Sequence, residues 1–352
     1  MNRRHVFLLS AIVVIGLVVA ACYQPTQFIA KYKVIDLIAR DSLQTFLGLP
    51  ATNKQIKIAF TKKEDRRVVF FADYSQAVPH ATRLITPAGN ADSPLIDPTG
   101  TWVTYYIAEE SGVYIQKLDS TANPILIAQK GTEPHWWKDS NGTYLVYSTK
   151  FLVDVTALAT IGTDTTYMQQ IDLPNGGIKI GNAVAIADKP FNGGLSTDGA
   201  YLCTGNSAGA FYKRNDPSPF IPINSGLQIC NPSISPDPLH PDWMMFLNFS
   251  GVQNMNTSIV GVDFGSTNPH DHIFIVDALN RVQNYIAIPA DYPQWQDPEW
   301  SNKPNFATAL GRINEAEYDG VIINLSTKNH IVFTTGANIL DNTSTPSLWI
   351  GN

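Results

Sequence analysis

The sequence predicts an all-β fold in which six four-stranded sheets stack radially as the blades of a β-propeller. Three observations predict it. From Gln55 onward, short β-branched and aromatic runs alternate with Gly, Pro, Asn and Asp. One strand–turn–strand unit recurs five times, and a sixth unit at the start lacks its first strand. The repeat spacing is also compatible with five or seven blades, and a two-layer β-sandwich would give similarly many short strands.

In chain order, the first five residues carry Arg3 and Arg4, Val6 to Ala21 is uncharged, and Val19-Ala20-Ala21-Cys22 follows. A charged start, an apolar run and small residues form an export signal, and this run is short of the ~20 residues a membrane span needs. Val19 to Cys22 resembles the lipobox of bacterial lipoproteins, which implies cleavage before Cys22 and acylation of its thiol. By the same resemblance to enteric lipoproteins, Tyr23 in place of Asp implies the outer membrane. The expected organisation is a signal peptide over 1–21, a lipid-attached tether with one short helix over 22–54, and a propeller over 55–352.

Loss of Arg3 and Arg4 takes the formal charge from −6 to −8, so nothing here is built to coat nucleic acid. Only 15% of residues are charged and 44% are hydrophobic, with 23 Pro and 24 Gly, as suits a large core between many turns. Beyond Cys22 only Cys203 and Cys230 remain. In an oxidising compartment they could form a disulfide, or stay as two buried thiols. Val34, Ile35, Ile38, Leu43, Phe46 and Leu47 recur at near-helical spacing, with Gly48 and Pro50 to end the helix.

The five full units open at Ser93-Pro, Glu133-Pro, Gly193-Gly, Asn231-Pro and Tyr292-Pro. The incomplete one supplies strands at Ile56 to Phe60, Val68 to Phe71 and Thr82 to Ile85. Pro346-Ser-Leu-Trp349 repeats the Pro-x-x-Trp spacing of Pro134 to Trp137, so the C-terminus is the candidate for the missing innermost strand. Pairing there would remove two exposed sheet edges. The recurring Pro-x-apolar-Ser-x-Asp-Gly, clearest at Leu195-Ser-Thr-Asp-Gly199 and Ile234-Ser-Pro-Asp237, resembles the repeat of TolB-type β-propellers over roughly 55–352. That resemblance implies a binding or scaffold protein of the cell envelope. The Asp-Gly and Asn-Gly pairs are expected to provide the positive φ angles of two-residue hairpins.

The connections between second and third strands are long in blade 3 (150–164) and blade 5 (250–269). Propeller topology puts both on the face from which the blades start, beside aromatic openings. The candidate binding residues are therefore His135, one of Trp136 and Trp137, Phe191, Tyr292 and Trp295. The opposing reading is that most of these rings are packing between blades.

No catalytic residue, metal or cofactor is expected. Gly205-Asn-Ser-Ala-Gly209 matches a nucleophile pattern but continues into a strand, so it reads as a hairpin. His270-Asp-His272 has two imidazoles but no identifiable third ligand. The expected function is a non-enzymatic protein-binding scaffold anchored through Cys22. The alternative is glycan binding or degradation, with Asp97, Glu133 and Asp297 as available carboxylates.

Overall fold

The computed structural model describes residues 35–351 except 110–111, 150–151, 155–158, 162–164, 174–177, 206–208, 224–228, 249–255, 258–268, 316, 336–339 and 341–344. The chain divides into two units, the second being Ile35–Asn352. The signal, Cys22 and residues 22–34 of the expected tether lie outside the described residues.

Six sheets follow in order around a ring. Blade 2 pairs Ala91–Ile96, Trp102–Ile107, Gly112–Lys117 and Ile125–Ala128 from inside outward. Blade 3 does so with Gly131–Lys138, Thr143–Thr149, Thr166–Asp172 and Lys179–Ala187. In blade 4, Tyr201–Thr204, Ala210–Lys213 and Phe220–Pro222 are regular strands, and the innermost strand shrinks to a bridge between Leu195 and Leu202. Blade 5 uses Ile229–Ile234, Trp243–Asn248, His272–Asp277 and Arg281–Ala287. Blade 6 uses Gln294–Trp300, Phe306–Arg312, Tyr318–Asn324 and His330–Val332.

Blade 1 combines the two ends of the domain. Ser347–Ile350 is its innermost strand, antiparallel to Ile56–Lys63 with Ile56 opposite Ile350 and Ala59 opposite Ser347. Arg67–Asp73 and Ala81–Arg83 complete it. The expected closure is therefore present, and it reaches into both neighbours. Asn302 of blade 6 accepts from Ile350 N at 2.8 Å and donates to Ile350 O at 2.9 Å. Trp349 Nε1 donates to Pro98 O of blade 2 at 3.2 Å, and its ring lies where a Cβ on Gly100 would come within 2.5 Å. Gly100 also holds φ +71°, so no other residue suits that turn.

Alternation along each strand makes the blades stack. Ile56, Ile58 and Phe60 face the core shared with blade 6, whereas Ala59, Val69 and Phe71 face the core shared with blade 2. Six buried clusters result, one for each junction between adjacent blades. A single blade cannot bury both faces alone, so ring closure and core formation are one event.

The expected helix is Arg40–Leu47, ended by Gly48 at φ 65°. Leu43 and Leu47 enter the core between blades 6 and 1, and Asp36–Leu37 pairs with Thr334–Thr335. Residues 35–54 thus belong to the propeller unit rather than to a tether.

The hairpin turns work differently from expectation. Positive φ falls on Gly100 and Gly199 alone within their turns, and the acidic residue acts as an acceptor. Asp97, fully buried, accepts from Thr99 N, Thr99 Oγ1, Thr101 N and Trp102 N at 2.6–3.0 Å. In blade 4, Ser196 and Asp198 divide that work. The carboxylate satisfies backbone donors that the turn would otherwise bury unpaired.

Trp349→Ala should lower stability by about 3–5 kcal/mol in urea denaturation, the usual cost of truncating a buried Trp. Deleting residues 345–352 should lower the melting temperature of the whole domain in one transition. An unchanged melting temperature would contradict the closure.

Candidate functional site: the central channel

A repeated backbone device shapes the axis. Ser93, Glu133, Asn231 and Asp297 hold φ between 45° and 49°, and each is followed by a proline. At the same places the ladder to the second strand slips: between Asp92 and Leu95, Val146 and Ser148, Cys230 and Ser233, and Gln296 and Glu299. Each is a β-bulge, which bends the strand and re-aims side chains. Proline fits there because a bulged position needs no ladder N–H. Left-handed φ costs a non-glycine residue about 1–2 kcal/mol, so four such residues mark a shape that the ring imposes.

The bulged residues form a ring. Ser93, Glu133, Asn192, Asn231, Asp297 and Thr345, one from each blade, line a cavity of about 120 Å³ at the upper mouth, where the innermost strands begin. Asn231 Nδ2 donates to Asp297 Oδ1. Further along the strands, a second cavity of about 260 Å³ opens at the lower mouth, also bordered by all six blades. Its walls include Leu95, Leu195, Ile234, Trp136, Trp137 and Trp300, with Lys138 at the end of its strand.

Leu95, His135 and Glu299 border both cavities and form the waist between them. His135 Nε2 lies 3.8 Å from Glu299 Oε2, and both side chains are 13% exposed. His135 Nδ1 contacts Glu133 O at 3.2 Å, and since a carbonyl only accepts, Nδ1 carries a hydrogen. Gly194, at φ 87°, lies against the imidazole where a Cβ would come within 3.0 Å. Burial pushes the His135 pKa down, but the carboxylates of Glu299 and Glu133 outweigh it and the net shift is upward.

The structure separates the expected binding residues into two groups. His135, Trp136 and Trp137 line the channel. The two indoles point to opposite sides, as alternation requires, yet both border the lower cavity. Trp136 Nε1 donates to Leu95 O of blade 2 at 2.9 Å, and Trp137 Nε1 to Ser196 O of blade 4 at 2.7 Å.

Phe191, Tyr292 and Trp295 do not form a rim. They are 1%, 7% and 1% exposed and sit in the cores between blades 3 and 4 and between blades 5 and 6. Tyr292 further donates to Asp319 at 2.9 Å. A large ring at the start of a blade has a neighbouring blade on each side, and burial wins over display there.

Most of the two long connections lies outside the described residues. Their ends meet at the upper mouth, where Thr149 N donates to Thr165 O and His270 N to Asn248 O. However, Asn256–Thr257 pairs in parallel with Arg281 and Val282 on the outer strand of blade 5. That part of the insertion covers a blade edge rather than the expected face.

Cys203 and Cys230 are free thiols. Cys203 belongs to the core between blades 4 and 5 and Cys230 packs on the core between blades 5 and 6, so of the two alternatives the structure shows the pair as thiols. The strands around 205–209 pair Thr204 with Ala210, a hairpin rather than a nucleophile elbow. Among the described residues no cluster of His, Cys, Asp or Glu could hold a metal ion, and no helix is long and apolar enough to cross a membrane.

Sequence reasoning missed Glu299 and the bulge ring. The x-Pro step in blades 2, 3, 5 and 6 and at Thr345 was a visible signal, but a residue before proline normally takes extended backbone. Nothing local announces the left-handed angle.

No family profile matches the chain, and no curated protein does. Among solved structures, TolB from Acinetobacter baumannii is similar at 15% identity and a TM-score of 0.56, over 87% of this chain and 69% of that one. A putative TolB from Agrobacterium tumefaciens aligns at 12% identity and a TM-score of 0.49, over 85% of this chain and 99% of that one. The chain has a TolB-like propeller fold. At that identity the first likeness carries the architecture and nothing about the site.

The raised pKa of His135 makes a prediction with a definite sign. Its pairing with Glu299 contributes stability fully present below the unfolded value of about 6.5 and lost as pH rises through the higher folded value. In NMR titration, His135 should show a midpoint above about 6.5. Glu299→Gln should lower that midpoint, since burial then opposes Glu133 alone.

Proposed function

We propose that the chain is an exported lipoprotein of the bacterial cell envelope, held at the outer membrane by acylation of Cys22. Its propeller acts as a non-enzymatic scaffold that binds a protein partner at a channel mouth. The observation that carries this reading is the channel: all six blades place polar groups around one mouth and aromatic groups around the other in a closed ring. Preorganised sites lose little entropy on binding. The membrane part rests on Arg3, Arg4 and the Val19 to Cys22 motif.

The glycan reading draws on Glu133, Asp297 and Glu299, three carboxylates around the upper cavity. At about 120 Å³ that cavity is well below the roughly 300–1,000 Å³ of ordinary ligand clefts. A sugar bond flanked by two carboxyls needs more room, which favours binding over hydrolysis.

Metabolic labelling with a fatty-acid analogue should mark the mature protein at Cys22, and Cys22→Ala should be unprocessed or released from membranes. Recovery of an unlabelled mature chain starting elsewhere would end the lipoprotein reading. A photo-crosslinking residue at Asn192 or Lys138, in the two mouths, should trap a discrete partner in intact cells. The same probe at Leu126, exposed on the outer strand of blade 2, should not. Equal trapping from Leu126 would remove the channel from the proposal.

A further inference from the structure

The lower cavity presents almost no free hydrogen-bonding group. Trp136, Trp137 and Trp300 donate their indole N–H to Leu95 O, Ser196 O and Pro304 O. Ser347 Oγ accepts from Ile96 N, Ser301 Oγ donates to Lys303 O, and Asn302 is held by the Ile350 backbone. What faces the space is an aromatic and aliphatic wall. The exceptions are Thr197 Oγ1 and His135 Nε2, both buried without a hydrogen-bond partner among the described residues, and Glu299 at the waist. Its Oε1 accepts from Ser233 Oγ at 2.9 Å, while Oε2 accepts no hydrogen bond from the described residues and has His135 Nε2 3.8 Å away.

The sign of the field follows from the residues bordering both cavities. In the lower cavity Glu299 is the acidic group and Lys138 and His135 are the cationic ones, while Glu133 and Asp297 add negative charge from the upper cavity across the waist. Indole faces add the negative side of their quadrupole. Among the described residues no acidic or imidazole group cluster is close enough to hold a metal ion. A space of about 260 Å³ walled by three indoles, a little below ordinary ligand clefts of roughly 300 Å³ and more, suits a compact organic body instead.

We propose that the lower cavity is a binding site for a compact organic cation, with an ammonium or guanidinium head at Glu299 Oε2 and an apolar body of about one aromatic ring against Trp136, Trp137 and Trp300. The cation can arrive as a free amine or as the N-terminus or basic side chain of a peptide, because the recognised chemistry is shared. This goes beyond the scaffold reading, since the site exists whether or not a protein docks at a mouth.

Protonated His135 competes with the ligand for Glu299. The charged groups around the imidazole are Glu299 of blade 6, Glu133 and Lys138 on its own strand, and Asp297 across the upper cavity. As pH rises through the His135 midpoint, the carboxylate is released to the ligand. Affinity should therefore rise with pH until the amine itself deprotonates near about 10.

The test titrates the full mature protein, followed by tryptophan fluorescence and calorimetry, with phenethylamine, the neutral phenethyl alcohol and the anionic 3-phenylpropionate. Phenethylamine should bind at least about tenfold more tightly than the alcohol, with the carboxylate weakest, and should tighten between pH 6 and pH 8. Glu299→Gln should erase the amine's advantage while leaving alcohol binding in place. A second arm compares Phe-Gly-Gly-amide with its N-acetyl form. Binding of phenethylamine alone identifies a free amine as the source, and preference for the free-amine peptide identifies a chain terminus. The proposal is overturned by equal affinity for the three phenyl probes, by preference for the carboxylate, by no saturable binding of amine or peptide, or by an amine advantage that survives in Glu299→Gln. The wild-type comparison needs no variant, so misfolding of Glu299→Gln would not shield it.

Discussion

The antiparallel pairing of Ser347–Ile350 with Ile56–Lys63 is the constraint on which the other features depend. Without it, the first blade lacks its innermost strand and the last blade has no neighbour to cover Phe306, Leu310 and Ile322. Backbone pairing provides register, while Trp349 and Asn302 extend the join into blades 2 and 6. Contacts so distant in sequence pay a loop-closure cost before they contribute, and a ring shares that cost among six interfaces. The channel exists only because the ring closes, since each blade contributes one strand to its wall.

The same closure explains why the axis is polar at one end and aromatic at the other. Innermost strands converge toward the axis, and regular pleating would alternate side chains into the cores on either side. The bulges at Ser93, Glu133, Asn231 and Asp297 break that alternation once per strand. A polar group then meets the axis above, and the residue two positions on, Leu95, His135 or Glu299, borders both cavities, while Ser233 binds Glu299 from the side. Proline after each bulge removes a donor that would otherwise seek a partner. His135 and Glu299 arrive at the waist from blades 3 and 6, opposite sides of the ring.

The fates of the aromatic residues show how position overrides residue type. Trp136 and Trp137 follow a bulge, so their rings straddle strand and channel, with each indole N–H bound to the adjacent blade. Tyr292 and Trp295 precede the bulge at Asp297, where neighbouring blades are still close, and both are buried. The same residue types in the same kind of repeat therefore serve a cavity in one blade and a core in another.

Much of the fold was legible in the sequence because its cause is local and periodic. Alternating apolar residues, the recurring turn with Asp97 or Asp198, and the Pro-x-x-Trp echo at Pro346 to Trp349 each follow from side-chain period and turn chemistry, so the closure and a count of six could be read, although the spacing alone also admitted five or seven. The helix ending at Gly48 was legible for the same reason. The site was not. Whether Trp295 is core or rim, whether Cys203 and Cys230 share a face, and whether Glu299 reaches His135 depend on distances between blades far apart in sequence. Those distances are set by ring curvature and by four left-handed bulges. Local propensity disfavours such angles before proline, and only the packing of six sheets around one axis holds them in place.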